Sequence, residues 1–217
     1  MLFCLLASDP PIGRAEYSVD AFPQQTLMEM VIAGLVNQSR LQDENGGYKD
    51  IENWNGMTFN DANEVTHVEW RDYHNKQFPH GGTLELKWLP RTVEIFALPG
   101  SGIEGTVEMA LLPRRLRNLF VQRNRLTGAL DMTQLPPTVN ELIMQSNRFS
   151  GSLDFTRLPG SLTYMYLFRN DFIGTVRVGE LPAKVRILIG ETKIEAFVDE
   201  SGNGFRDDRL RVNSGAF

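Results

Sequence analysis

Apolar residues recur through the middle of the chain with a period of 23 residues. The clearest markers are four Leu-Pro pairs at this spacing, preceded by a fifth: Leu112-Pro113, Leu135-Pro136, Leu158-Pro159 and Leu181-Pro182, after Leu89-Pro90. Glycines keep the same period, at Gly105, Gly128, Gly151 and Gly174. A fixed period of about 20 to 50 residues is typical of a solenoid, in which each copy forms one coil.

The first half of each copy predicts a short strand followed by a turn. Leu119 and Val121 alternate with other residues, which is the pattern of a strand with one face inward. Asn124 follows among apolar residues, and Asn147 and Asn170 occupy the same position in the next two copies. Because buried amides need partners, we expect these asparagines to form a ladder by bonding backbone groups of their own and the next turn.

The second half of each copy predicts a bend, a second strand and a return. Gly128 permits a backbone angle that other residues resist. Leu130 and Met132, two residues apart, predict a short convex strand with both side chains inward, which Leu135-Pro136 stops. One copy cannot bury its apolar face alone, so stacked copies are expected to form a curved rod with a concave face of strands.

These columns resemble the leucine-rich repeat, LxxLxLxxNxLxGxLxxxxLP. The Asn-x-Leu-x-Gly-x-Leu segment is similar to the plant-like subclass and to the 23-residue repeats of kinetoplastid protozoan proteins. The resemblance covers about residues 65–195. It implies an α/β solenoid shaped as a curved horseshoe, with a concave parallel β-sheet, short convex strands, an N-terminal capping helix and a C-terminal cap.

An amphipathic helix is predicted over residues 24–40. Leu27, Met30, Val31 and Leu35 recur at spacings of three and four there. The open end of the solenoid can cover this apolar face, and a helix that binds a partner is the alternative.

Residues 53–70 resemble the amino-terminal cap of extracellular plant-type leucine-rich repeat proteins, with its W-x-G-V-x-C segment. Phe59 stands at the cysteine position of that cap, and the second cysteine is also missing. The resemblance, with this departure, implies a cap held by the packing of Trp54, Met57 and Phe59 instead of a disulfide. The first strand of the repeats is predicted at residues 65–70.

A further copy is predicted to begin at Val185 and Leu188. There Gly190 replaces an inward apolar residue and Lys193 replaces the asparagine, so the ladder is expected to break and the copy to serve as a cap. These features divide the chain into a lead-in with a helical cap (residues 1–64), leucine-rich repeats (65–195) and a C-terminal cap and tail (196–217).

Composition limits the kinds of partner and the cellular compartment that are expected for the protein. The net charge is −5, and no basic stripe appears, which argues against nucleic acid. The single cysteine, Cys4, excludes an intramolecular disulfide and favours a reducing, cytoplasmic setting, with a secreted or surface protein that lacks disulfides as the alternative. No apolar run is long enough to span a bilayer. Residues 1–7 are apolar but short and lack a basic leader, so a flexible start, a packed edge and a signal-sequence remnant all stay open.

The chain shows no catalytic or cofactor motif. The histidines are His67, His74 and His80, the last two in an insertion at about residues 71–80, and no carboxylate pattern joins them as a metal site. A calcium-loop-like start at Asp199 would place Leu210 where the bidentate glutamate belongs, so we expect a hairpin turn leading to a strand near residues 210–212. Without a phosphate loop or a nucleophile elbow, we expect no enzyme, metal or cofactor.

The outward positions of the predicted concave strands form an apolar patch. It comprises Phe120, Ile143, Tyr164, Tyr166, Phe168, Ile187 and Ile189, with Arg123 and Arg169 as a polar rim. Soluble monomers rarely expose such a patch, and aromatic residues are common interface anchors. The sequence therefore predicts an interface for a protein or peptide. Two alternatives are that the aromatic residues only pack across the strands, and that residues 1–22 fold over them.

Two functions of different class fit this sequence. The first is a monomeric, non-enzymatic interaction module, an adaptor or scaffold acting through its concave face. The alternative is a structural subunit of a larger assembly, with several faces permanently buried. Size-exclusion chromatography separates them, because the first is stable alone and the second associates.

Overall fold

The computed structural model describes residues 19–71 and 81–212, which coil into a solenoid with a sheet along each of two sides. The one α-helix of this part is α1 (Gln24–Ile32). Short 3-10 helices lie at Val19–Ala21, Ile51–Asn53, Leu86–Trp88, Met109–Leu111 and Met132–Gln134. The strands are β1 (Met57–Phe59), β2 (Val65–Glu69), β3 (Ile95–Ala97), β4 (Asn118–Phe120), β5 (Thr127–Ala129), β6 (Glu141–Ile143), β7 (Arg148–Gly151), β8 (Asp154–Phe155), β9 (Tyr164–Tyr166), β10 (Asp171–Val178), β11 (Arg186–Leu188), β12 (Lys193–Val198) and β13 (Leu210–Arg211).

The larger sheet has eight strands in the order β1-β2-β3-β4-β6-β9-β11-β13. The β1–β2 pair is antiparallel, and every later pair is parallel. This sheet contains the strands for which the sequence predicts a concave sheet, and its outward side is called the concave face below. Its inward side packs into a core that runs continuously from α1 to β11.

The convex strands begin earlier in each coil than the sequence predicts. The convex sheet has the order β12-β10-β7-β5, with β8 beside β10. In the coil of β5 the strand ends at Ala129, and Met132 starts a 3-10 helix instead of lying in a strand. Leu130 and Met132 are nevertheless both buried. Asp131 stabilises this turn, because its side chain accepts the Thr133 N–H.

The buried asparagines connect successive turns. Asn147 Nδ2 donates to the carbonyl oxygens of Met144, in its own turn, at 3.0 Å and of Val121, in the preceding turn, at 2.9 Å. Its Oδ1 accepts the N–H of Leu126 in the preceding coil at 3.1 Å. The ladder thus reaches backward along the chain, to the turn before and not to the turn after.

Asn124 and Asn170 repeat this arrangement. Asn124 Nδ2 donates to Val121 and Leu98, and Asn170 Nδ2 donates to Leu167 and Met144. The residue just before the Asn position has a positive φ in every coil with such a turn: Gly100, Arg123, Ser146, Arg169 and Glu191. The turn therefore has a left-handed residue in all five of these coils, and a buried amide follows it in the three that carry Asn124, Asn147 and Asn170.

Helix α1 ends at Ile32, eight residues before the predicted end at residue 40. Beyond it, Gly34 lies against the first coil, where an added Cβ would stand 2.9 Å from the Thr83 carbonyl oxygen. Leu35 pairs with Gly82 in an antiparallel bridge, and Thr83 N–H donates to the Gly34 carbonyl at 2.9 Å. These backbone bonds replace the helical ones, so the helix stops.

Polar side chains fix α1 against the start of the concave sheet. Gln24 Oε1 accepts the Val65 N–H at 2.9 Å, and Gln25 Oε1 accepts the Ile51 N–H at 2.7 Å. Trp54 is buried and donates its indole N–H to the Lys49 carbonyl at 2.8 Å. Met57 and Phe59 are half-buried against the same core. The segment that precedes the repeats is thus held by packing and hydrogen bonds.

The last coil has one residue fewer than the preceding coil between its Leu-Pro pair and its strand, β11. Arg186 pairs with Tyr164 and Leu188 with Tyr166, whereas a 23-residue spacing would have paired Ile187 with Tyr164. Ile187 and Ile189 therefore point inward and are fully buried. Their predicted place on the concave face is wrong, because the lost residue turns this strand over.

The same shift moves the asparagine position of the last coil to Thr192. Thr192 Oγ1 donates to the Ile189 carbonyl three residues back, as Asn170 does to Leu167. The predicted replacement by Lys193 is therefore wrong by one residue. A hydroxyl forms this one bond but cannot supply the second donor of an amide, so the ladder does end in this coil.

The polypeptide after β12 turns and then joins the concave sheet. Asp199 closes the predicted turn by accepting the N–H groups of Ser201 and Asn203. The strand near residue 210 does not form a hairpin with β12, however. It pairs in parallel with β11 as the edge strand β13, because Leu210 can then pack against the core.

We expect Asn147→Ala to lower the free energy of unfolding by about 1–3 kcal/mol, because it strands buried backbone partners in two coils. Urea unfolding followed by circular dichroism measures this change. Asn118→Ala is the control, since the half-buried Asn118 side chain has no hydrogen bond with any described residue. Equal losses in both variants would contradict a structural role for the ladder.

The register of the last coil predicts that truncating two neighbouring residues lowers the unfolding free energy by different amounts. Ile187→Ala removes a fully buried side chain and is expected to cost about 2–5 kcal/mol of unfolding free energy. Leu188→Ala removes a half-buried side chain on the outer side and is expected to cost less than half as much. The reverse order in urea unfolding would show that the unshifted register is correct.

Candidate partner-binding face

The middle of the concave face carries a small apolar cluster separate from the core. Ala97, Phe120 and Ile143 form it on neighbouring strands, with the half-buried Ile95 and Tyr166 packed against them. Phe120 and Ile143 are each only 9% exposed. The sequence predicts an exposed apolar patch here, but these two side chains are covered mostly by their neighbours. They therefore offer little surface of their own.

A run of three aromatic residues, Tyr164, Tyr166 and Phe168, lies beside this cluster. The Tyr164 and Tyr166 rings meet edge to face with centroids 6.1 Å apart, and Tyr166 and Phe168 lie 6.5 Å apart. We call these three residues the aromatic rung. Tyr164 is 38% exposed, which makes it the large apolar side chain of the face that is most open to solvent. These ring contacts run along the chain, and Tyr166 also packs across the strands against the apolar cluster, as the packing alternative predicts.

Arg71 covers part of the apolar cluster, a contact that no pattern in the sequence predicts. Its Cζ lies 4.3 Å from the centroid of the Phe120 ring, within the range of a cation–π contact. Arg71 also pairs with Glu69 at 3.1 Å. It follows β2, two coils before Phe120, so no spacing within the repeat connects them. The insertion that follows Arg71, with His74 and His80, lies outside the described residues.

The predicted polar rim is exposed, and one of its members is bound within the chain. Arg169 Nε donates to Glu191 Oε2 at 2.9 Å, and the Glu191 carboxylate raises the pKa of the Arg169 guanidinium. The Arg169 Cζ lies 6.0 Å from the Phe168 ring centroid. Arg123 is exposed in the turn two coils earlier. Arg169 therefore lies beside the aromatic rung, whereas Arg123 lies two coils away from it, and the rim stays a prediction.

Two side-chain oxygens on the concave face have no hydrogen-bond partner among the described residues. They are the buried carboxamide oxygens of Gln122 and Gln145. These residues occupy the same repeat position as Phe168 in the two preceding coils. A buried polar atom without a partner costs about 1–3 kcal/mol, so a hydrogen-bond donor that reached either oxygen would stabilise the face.

A cavity of about 270 Å³ lies at the C-terminal end of the concave face, beside the aromatic rung. It is lined by Tyr166, Ala183, Lys184, Val185, Arg186, Leu188, Asp208, Arg209 and Arg211. Two features hide this cavity from the repeat pattern. The one-residue shift conceals that Arg186 faces outward, and the edge strand β13 brings its arginines from outside the repeats.

Arg209 holds β13 against the preceding coil. Its Nη1 donates to the carbonyl oxygens of Leu181 and Pro182 at 2.9 and 3.2 Å, and its Nε donates to Asp207 at 2.8 Å. The side-chain hydrogen bond from Arg209, joined by its backbone N–H, lowers the pKa of Asp207 to about 2. Asp207 therefore orients an arginine that bonds backbone groups of another coil.

Metal and membrane features are not evident in the part of the chain that the structure describes. Within residues 19–71 and 81–212, no three His, Cys, Asp or Glu side chains converge as a metal site. No helix in these ranges has the length and hydrophobicity to cross a membrane. Asp199, the start of the calcium-like sequence, uses its carboxylate within its own turn, and backbone bonds led by that from Asn203 lower its pKa.

The chain is similar to solved ectodomain structures from plants. One is from the BIR3–SERK2 complex of Arabidopsis thaliana, with 20% identity, 79% of this chain and 93% of that chain covered, and a TM-score of 0.53. Another is the leucine-rich repeat ectodomain of the receptor kinase SOBIR1 of Arabidopsis thaliana, with 16% identity, 81% and 96% covered, and a TM-score of 0.57. The chain has the leucine-rich repeat fold. A third similar structure, of Pollen Receptor Kinase 3, has 16% identity, 89% and 98% covered, and a TM-score of 0.58.

No protein-family model and no curated protein matches the sequence of this leucine-rich repeat chain. The similar structures share the repeat architecture at low identity, so they do not assign a role to any individual residue of the concave face.

We expect Asp207→Asn to lower the free energy of unfolding at pH 7 by no more than about 1 kcal/mol, the range of exposed ion pairs. The folded-state pKa lies below the ordinary value of about 3.9, so the ionised carboxylate contributes stability above about pH 4. That contribution is lost as the pH falls towards 2. Urea unfolding at several pH values should therefore show the difference between wild type and variant shrinking in this window.

Asp208→Asn is the matched control for this measurement. Asp208 is the exposed neighbouring carboxylate and forms no hydrogen bond with a described residue. It should show little difference at any of these pH values. A difference for Asp207→Asn that stays constant down to pH 2 would contradict the assignment of the low pKa.

Proposed function

We propose that this protein is a non-enzymatic interaction module that binds a segment of another protein on its concave face. The aromatic rung of Tyr164, Tyr166 and Phe168 supplies the apolar anchors, and Arg123 and Arg169 form a polar rim. Phe120 and Ile143 support the rung from beneath the surface. A reducing, cytoplasmic setting stays part of the proposal because the chain has a single cysteine, Cys4.

The observation that carries the proposal is the exposure of Tyr164 within three touching aromatic rings. Its 38% exposure leaves ring surface in contact with water, although the same strand buries Met165 completely. Tyrosine gives a large contact area at a small entropic cost, since its ring has few rotatable bonds. Such residues, set beside charged neighbours, are typical of the centre of a protein interface.

Two further features support the same face. The carboxamide oxygens of Gln122 and Gln145 have no partner within residues 19–71 and 81–212, and a small rotation would present them to the N–H groups of a bound segment. In addition, one similar structure is that of a complex, of BIR3 with SERK2. By analogy of fold, the present chain would also act by binding a protein.

The test compares wild type with a Tyr164→Ala/Tyr166→Ala variant. We expect the variant to raise the Kd for a partner captured from cell extract and then purified by at least about thirtyfold, the loss of about 2 kcal/mol typical of an interface anchor. Calorimetric titration measures the affinity. Hydrogen exchange on the purified complex should show protection at β9.

Ile173→Ala is the control, because Ile173 is 50% exposed on the convex strand β10. It removes a comparable amount of exposed apolar surface from the opposite sheet and should leave the Kd unchanged. Circular dichroism checks that each variant is folded. A partner that binds both variants as well as wild type, or that protects β10 instead of β9, would contradict the proposal.

A further inference from the structure

The cavity at the C-terminal end of the concave face gathers positive charge in an acidic protein. Lys184, Arg186, Arg209 and Arg211 line it, with one carboxylate, Asp208. The whole chain has a net charge of −5, so this concentration does not follow from its composition. A cluster of like charges raises the electrostatic free energy of the folded state unless an anion joins it.

The register of the last two strands creates this cluster. The one-residue shift makes Arg186 and Leu188 the outward residues of β11, opposite Tyr164 and Tyr166. On the other side of β11, the parallel strand β13 places Arg211 opposite Leu188. Strands β9, β11 and β13 therefore lie side by side. The outward residues of β9 are tyrosines, those of β11 are Arg186 and Leu188, and β13 adds Arg211 at the sheet edge.

The cations of the cavity differ in what they already bind. Arg209 is engaged by Asp207 and by two backbone carbonyls. Lys184, Arg186 and Arg211 form no ion pair or side-chain hydrogen bond with any residue of the described chain, and all three are exposed. Three cations thus face the cavity with only Asp208 against them.

We propose that this cavity binds acidic side chains of the polypeptide segment that lies on the aromatic rung, an inference that rests on the function proposed above. The partner is then a segment with an apolar residue over Tyr164 and Tyr166, followed by Asp or Glu. Arginine suits this task, because its planar guanidinium holds a carboxylate through two parallel hydrogen bonds. A volume of about 270 Å³ is ample for such a group, since a water molecule occupies about 30 Å³ in the liquid.

The surrounding charge favours a short acidic segment over a nucleic acid. Asp208 lies in the cavity itself, and Glu141 and Glu191 stand on the face and rim next to the aromatic rung. A long polyanion would have to pass these carboxylates in a chain of net negative charge, whereas one or two acidic side chains need only the local cations. Charge complementarity therefore specifies a peptide with a localised acidic group.

The probe is a displayed library of random peptides, selected on the immobilised full chain. We expect the selected peptides to be enriched in Asp or Glu near an aromatic or aliphatic residue. A synthetic peptide from this pool should bind more weakly at higher salt, between about 0.01 M and about 0.15 M, as the Debye length falls from about 30 Å to about 8 Å. Replacing its acidic residues by Asn or Gln should raise the Kd at least about tenfold.

Variants of the protein locate the acidic subsite. Arg186→Gln/Arg211→Gln should raise the Kd for the same peptide at least about tenfold and reduce its salt dependence. Arg148→Gln/Arg177→Gln is the matched control, since it removes the same charge from exposed convex strands. It should change neither quantity. Circular dichroism shows whether each variant is folded.

The outcomes separate this inference from the proposed function. Peptides that depend on Tyr164 but lack acidic residues, or that bind Arg186→Gln/Arg211→Gln at full strength, would overturn the acidic subsite and leave the aromatic interface intact. A labelled single-stranded oligonucleotide that binds these arginines more tightly than any acidic peptide would overturn the choice of partner. Failure to select any peptide sensitive to Tyr164→Ala would overturn both proposals.

Discussion

The structure depends on the need of every buried backbone group for a hydrogen-bond partner. In a coil this short, the strands satisfy their own N–H and carbonyl groups, but backbone bonds between neighbouring turns satisfy only part of the groups in the turns that link the two sheets. Asn124, Asn147 and Asn170 supply what the turns lack, each joining its own turn to the one before. An amide is suited to this because it offers two donors and an acceptor at the end of a short side chain.

This constraint explains why the repeat keeps its length so strictly. An asparagine that bonds the preceding coil must occupy the same position in the turn of every copy. The left-handed residue before it must turn the chain in the same way. Inward apolar positions then fall into columns, and the core extends through the coils without interruption. The outward positions have no such packing or hydrogen-bonding requirement, so their residues can differ from coil to coil and can bind a partner.

Much of the fold could be predicted because its determinants are local and repeated. The columns of Leu119, Asn124 and Gly128 recur in each copy, so a period read from the sequence gives the strands, the ladder and the inward residues. Where the last coil loses one residue, the 23-residue period predicts the wrong face of the sheet for Ile187. The end of helix α1 and the contact of Arg71 with Phe120 depend on residues in other coils, which no local pattern contains. The aromatic rung was therefore predictable, and the arginine cavity beside it was not.

The shortened last coil also has a meaning for the size of the molecule. Nothing in a repeat of identical coils specifies how many there should be, and an exposed end resembles the surface on which the next coil would stack. Here Thr192 leaves the ladder without its second donor, and β13 occupies the outer edge of β11. A further coil of the regular kind would meet a strand already in its place and no amide to bond its turn. This end of the described solenoid is thus closed by the protein's own polypeptide, which disfavours growth into a fibre.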